Sequence, residues 1–157
     1  MRNAIFTAAL VCGSISAAHA VTLESTGSIQ NRCSFGTVSP GILSVNESDF
    51  SQFGTEFAGG QGAQVAVNYF GTPTLTVSTP SGFSTSPDLT DAGAVTFNHL
   101  AVLATAPFEE LNVSADSSVE HQFTAGSTDT LQVGVTADAE DSLPVGSYAI
   151  ATEATCI

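Results

Sequence analysis

Apolar and polar residues alternate in steps of two along most of this chain, and beyond the first twenty residues no stretch carries a convincing run of apolar residues at helical spacing. Such a pattern predicts an all-β domain. Val21, Leu23, Ile29, Cys33 and Phe35 all fall at odd positions, so one extended segment broken at Gly27 puts them on a common face, with Glu24 and Arg32 on the other. Further strands are predicted around Val65, Val67 and Tyr69, around Leu75 and Val77, and from Val95 and Phe97 through Leu100 and Val102. Leu111 with Val113, then Val119, His121 and Phe123, then Leu131, Val133 and Val135 mark three more. Tyr148, Ile150, Ala154 and Cys156 alternate along a single closing strand.

Turn-forming residues punctuate these runs: Gly71-Thr72-Pro73, Pro80-Ser81-Gly82, Asp91-Ala92-Gly93, Ala125-Gly126-Ser127 and Leu143-Pro144-Val145-Gly146. Short strands at this regular spacing predict a two-sheet antiparallel β-sandwich of about seven to nine strands. Between Asn46 and Gly62 the pattern changes. Phe50, Phe53 and Phe57 have helix-like spacing and Asn46 could cap a short helix, but Gly54, Gly59, Gly60 and Gly62 weigh against one. That segment is expected to be a loop whose phenylalanines plug one end of the sandwich.

The first twenty residues follow a different logic. Met1, Arg2 and Asn3 form a short basic start, Ala4 to Val11 an apolar run, and Ala18-His19-Ala20 a small-x-small cleavage signal, so residues 1–20 read as a secretory signal peptide and residues 21–157 as one domain starting at Val21. The apolar run is shorter than the roughly 20 residues that span a bilayer, and no membrane insertion is expected. Cys12 follows Val11, a larger residue than lipoprotein processing prefers before its cysteine. Export would place the domain in the periplasm, at the cell surface or outside the cell.

Composition narrows the partners. A hydrophobic share of 43% with only 11% charged residues suits a folded domain rather than a disordered acidic tail. The formal charge is −13, there is no lysine, and past the signal peptide Arg32 is the sole arginine against all 15 acids. Nucleic acid and anionic lipid are disfavoured, since both are bound by basic groups that neutralise phosphate. The acidity serves solubility, or else it binds cations.

Cleavage removes Cys12 and leaves Cys33 and Cys156, an even pair in an oxidising compartment, for which a disulfide is the default. Both share a phase with apolar neighbours and so point into one core if the first and last strands meet. Two free thiols, or a metal site completed by His99 and His121, are the alternatives, although neither histidine has finger-like spacing to a cysteine.

The search for catalytic chemistry returns little. There is no Gly-x-Ser-x-Gly elbow and no His-Glu-x-x-His motif, and His99 and His121 lie in strand patterns without convergent partners. Carboxylates pair at Glu109-Glu110 and cluster at Asp138, Glu140 and Asp141, the second group being the better calcium candidate because it brackets a turn. Tyr69 and Tyr148 sit in core-like patterns, and the absence of Trp argues against sugar stacking. Asn46-Glu47-Ser48 and Asn112-Val113-Ser114 match the N-glycosylation acceptor pattern, which a bacterial type of signal peptide makes irrelevant. No cofactor is expected and no enzymatic activity.

Two segments together carry a resemblance. Gly27-Ser28-Ile29-Gln30-Asn31-Arg32-Cys33-Ser34-Phe35-Gly36 and Leu143-Pro144-Val145-Gly146-Ser147-Tyr148 resemble the spore coat protein U-like and fimbrial-subunit families of exported bacterial β-sandwiches. The resemblance implies an immunoglobulin-like fold and a structural or adhesive role in a surface fibre or coat, with self-assembly, other pilus-type subunits and a chaperone as partners. One departure is clear: those families place the second cysteine near Val65-Ala66-Val67-Asn68, where this chain has none until Cys156. In a fibre, the alternating segment with Val21, Leu23, Gly27 and Ile29 would be a strand donated to a neighbour. The rival expectation is a monomeric extracellular module that binds calcium or a glycan through its acidic loops.

Overall fold

The computed structural model describes residue 28, residues 30–109 and residues 117–157. The expected signal peptide, Val21, Leu23, Gly27, Ile29, the strand at Leu111 and Val113, and the Asn112 sequon therefore lie outside the described residues. Within them the fold is all-β and antiparallel. In chain order the strands are β1 (Arg32–Ser39), β2 (Ser44–Asn46), β3 (Asp49–Gly54), β4 (Ala63–Phe70), β5 (Thr74–Ser78), β6 (Phe83–Thr85), β7 (Val95–Leu103), β8 (Ser118–Gln122), β9 (Ser127–Ala139), β10 (Ala149–Ile150) and β11 (Ala154–Cys156).

The long strand β9 organises the largest sheet. One edge pairs with β7 from Leu131↔Leu103 to Ala139↔Val95, while the other is shared by β4, opposite Ser127 to Val133, and β3, opposite Thr136 to Asp138. The change of partner falls at Gly134 and Val135. There Thr55 fills the junction: its N–H donates to the Val135 carbonyl at 2.9 Å and its Oγ1 accepts the Val135 N–H at 3.0 Å. Beyond β4 the sheet ends at β1, and beyond β3 it ends at β2. Ladders of a second kind run β11-β5-β8 and β10-β6.

Core side chains come from both sets of strands. Val67, Ala101, Leu103 and Leu131 of the large sheet meet Leu75 and Val77 of β5 and Phe123 just past β8, and all seven are buried. Tyr69 stacks on Phe123 with ring centroids 3.7 Å apart, which confirms its core-like pattern. Cys33 and Cys156 are bonded with Cα atoms 5.8 Å apart, so the first described strand is stapled to the last. The shared phase of Cys33 with Tyr69 and of Cys156 with Leu75 brings both thiols to one side of the core.

Three expectations need correction. The segment after Asn46 is neither loop nor helix at its start: β2 and β3 form a hairpin over Glu47 and Ser48, with Asn46 Oδ1 accepting the Ser48 N–H at 3.0 Å. Asn46 is thus a turn residue rather than a cap, and Phe50 is 61% exposed rather than a plug. Second, the closing strand is split into β10 and β11. Its partners β5 and β6 are separated by Thr79-Pro80-Ser81-Gly82, and Pro80 has no N–H to continue a ladder. Third, β7 runs on as expected, but the buried side chains beyond Phe97 are His99, Ala101 and Leu103, while Leu100 faces outward.

Candidate functional site

An open apolar cleft lies between β1 and the closing segment. β1 pairs with β4 on one edge, and β11 pairs with β5 on one edge; among the described strands neither has a partner on its other edge. The two edges come together at the disulfide and enclose a cleft below it. Phe35 pairs with Val67 and Val38 with Val65, so both turn toward the interior side of the sheet, yet Phe35 is 38% and Val38 61% exposed. Ile42, just past the end of β1, is also exposed. A β-bulge between Phe35 and Val38 shifts the register and keeps both side chains on that side.

Two cavities run along this cleft. One of about 240 Å³ lies among Phe35, Val38, Val65, Leu131 and Ala154. The next, of about 450 Å³, extends past Pro40 and Gly41 to Phe53, Val135, Tyr148 and Ile150. Ala63, Val133 and Thr152 line both, so the two adjoin. Thr152 Oγ1 is buried without a hydrogen-bond partner. At the far end Tyr148 packs on Phe53 and Phe83, each at 5.1 Å between centroids, and donates its hydroxyl to the Pro144 carbonyl at 2.5 Å. Burial pushes the Tyr148 phenol up.

Other candidate groups do not converge. His99 stands on β7 of the large sheet, opposite Val135, and is 2% exposed. His121 lies between Phe108 and Phe123, at 5.4 and 5.1 Å between ring centroids. Of the calcium candidates, Asp138 stands on β9 opposite Thr96 and Gln52, and Glu140 spends its carboxylate on the Ala94 N–H at 3.1 Å. Asp141 is exposed beyond the strand end. Among the described residues no three His, Cys, Asp or Glu side chains gather as a metal ion would need. The Asn46 amide is occupied within its own hairpin, donating to Gln52 Oε1 at 2.7 Å.

Sequence reasoning found the disulfide and the inward phase of Phe35, but not the cleft. Its signal was the same alternation read as a filled core. Whether an inward position is covered depends on a strand from elsewhere, and no local pattern encodes that. No family model, curated protein or solved structure matches the chain.

Proposed function

We propose that this chain is an exported, non-enzymatic structural subunit of a surface fibre or coat, built as an immunoglobulin-like two-sheet sandwich with one seam left open. The observation that carries the reading is the exposure of interior-facing Phe35 and Val38 between two strand edges that have no partner among the described residues. A strand laid in that seam would gain main-chain hydrogen bonds from the edges and bury alternate side chains against Val65, Leu131 and Val133. Open edges of this kind otherwise invite indiscriminate pairing, which gives a dedicated occupant its value.

The donated strand in this reading is the segment with Val21, Leu23 and Ile29 on its apolar side and Gly27 where backbones approach closely. Export through the signal peptide and oxidation of Cys33 and Cys156 fit assembly outside the cytoplasm. Protein recovered from its native setting and run unheated in sodium dodecyl sulfate is expected to form a ladder that heating collapses to the monomer. A lone monomer band, with monomeric size at every concentration tested, would sink the proposal.

A further inference from the structure

A second apolar groove lies between the β2–β3 hairpin and the turn at residues 143–146. Its volume is about 420 Å³, and Leu43, Val45, Phe50, Leu143, Pro144 and Val145 are among its walls. It meets the cleft at Phe53 and Tyr148, but Phe50, Leu143, Pro144 and Val145 line neither cleft cavity. Phe50 is 61% exposed and Val145 fully exposed. Lone exposed apolar side chains are ordinary, whereas two that wall one groove form a patch of the kind that marks a binding surface.

The walls are set before any occupant arrives. The Leu143 N–H donates to the Phe50 carbonyl at 3.1 Å and ties the turn to the hairpin. The Tyr148 hydroxyl holds the Pro144 carbonyl, and a Cβ on Gly146 would lie 2.9 Å from Pro87 Cγ, so the turn also rests on that proline ring. An occupant need not order the groove it enters.

Charge identifies that occupant. Glu47 and Asp49 are exposed on the hairpin just before Phe50, and Asp141 is exposed two residues before Leu143. Asp49 Oδ1 accepts the Ser51 N–H at 3.1 Å and the Ser51 hydroxyl at 2.7 Å, which fixes the carboxylate beside Phe50. Arg32, the sole Lys or Arg among the described residues, stands near the Ser127 end of β9, whereas β3 joins β9 near its Ala139 end. The groove is therefore apolar inside and negative around. A second copy of this chain would add its own excess of acids, and an anionic lipid surface would be repelled. A cationic segment is attracted instead.

We propose that this groove binds a basic, apolar peptide segment of a different protein, seating its apolar side chains against Phe50, Leu143 and Val145 with lysine or arginine beside Asp49 and Asp141. The inference goes beyond the strand-acceptor reading and does not depend on it.

The test measures, by fluorescence anisotropy, binding of a labelled heptapeptide that alternates lysine with leucine and phenylalanine to the oxidised full chain. Binding is expected, and it should weaken as sodium chloride rises. Phe50→Ser and Val145→Ser are each expected to weaken it about tenfold. Because Val145 is fully exposed, its variant keeps the test open should Phe50→Ser fold poorly. Asp49→Asn combined with Asp141→Asn should weaken binding about fivefold, while Glu120→Gln on β8 leaves it unchanged. A version of the peptide with glutamate in place of lysine should not bind. Four results would each overturn the proposal: no binding of the lysine peptide, equal affinity for the glutamate version, a loss as large from Glu120→Gln, or a loss from Val38→Ser in the cleft with none from Phe50→Ser or Val145→Ser. Self-association of the wild type that Val145→Ser abolishes would make a second copy the occupant and overturn it too.

Discussion

At the end of β7 the chain is gathered by one carboxylate. Asp129 on β9 is 5% exposed and accepts the Ala104 N–H at 3.0 Å, the Thr130 N–H at 2.7 Å and the Thr105 hydroxyl. Burial by itself would raise its pKa, but these donors, with the Thr105 backbone, together outweigh burial and hold it below the ordinary carboxylate value. A depressed folded-state pKa means that this stabilisation is complete above the unfolded value of about 3.9 and is lost as pH falls through the folded one. Asp129→Asn is expected to cost about 1–3 kcal/mol in urea unfolding at neutral pH, because one oxygen acceptor becomes a donor among donors. The difference between variant and wild type should shrink in acid below about pH 4; a constant difference across pH would contradict the assignment. Nothing in the sequence marked Asp129, since an acid in a strand pattern looks solvated until its neighbours are known.

Among the elements, β3 shows how a glycine can serve sheet closure. Gly54 ends β3 opposite Thr136, and a Cβ there would lie 2.8 Å from the Val135 carbonyl oxygen and 3.1 Å from Thr136 Cα. Both obstacles are backbone, so relief would require β3 to move away from β9. Gly54→Ala is expected to lower stability by about 1–3 kcal/mol, read as an earlier midpoint in thermal or urea unfolding. An unchanged midpoint would mean that β3 is free to shift. The same glycine misdirected the sequence argument, which counted it with Gly59, Gly60 and Gly62 as evidence for a loop. The closing strand was misjudged for a related reason: its alternation is continuous, but the strands it must pair with are interrupted at Pro80.

For the whole molecule the dominant long-range term is like-charge repulsion, with 15 acids against two arginines in the full sequence. Added sodium chloride is expected to raise the melting temperature at neutral pH by screening that repulsion. Equal melting temperatures across salt concentrations would count against it. Calcium at matched ionic strength should add nothing further, and a clear extra gain would instead support a cation-binding module. The Cys33–Cys156 staple sits on top of this balance, closing nearly the whole described domain into one loop. In the chain-entropy treatment a closure of that size contributes about 4–5 kcal/mol by restricting the unfolded chain.

The sequence by itself determined the all-β character, the positions of most strands and turns, and the cysteine pairing. Each follows from short-range physics: side chains alternate across a strand, glycine and proline interrupt it, and the cysteines at 33 and 156 share an inward phase with their apolar neighbours. Tertiary structure alone decided which edge of β9 each strand takes, where the closing strand breaks, that Asp129 is buried, and that Phe35 and Val38 face an open cleft. These depend on which strands lie side by side, and that is set by long-range pairing and packing. Alternation fixes the face a side chain points to. It does not fix what lies across from it.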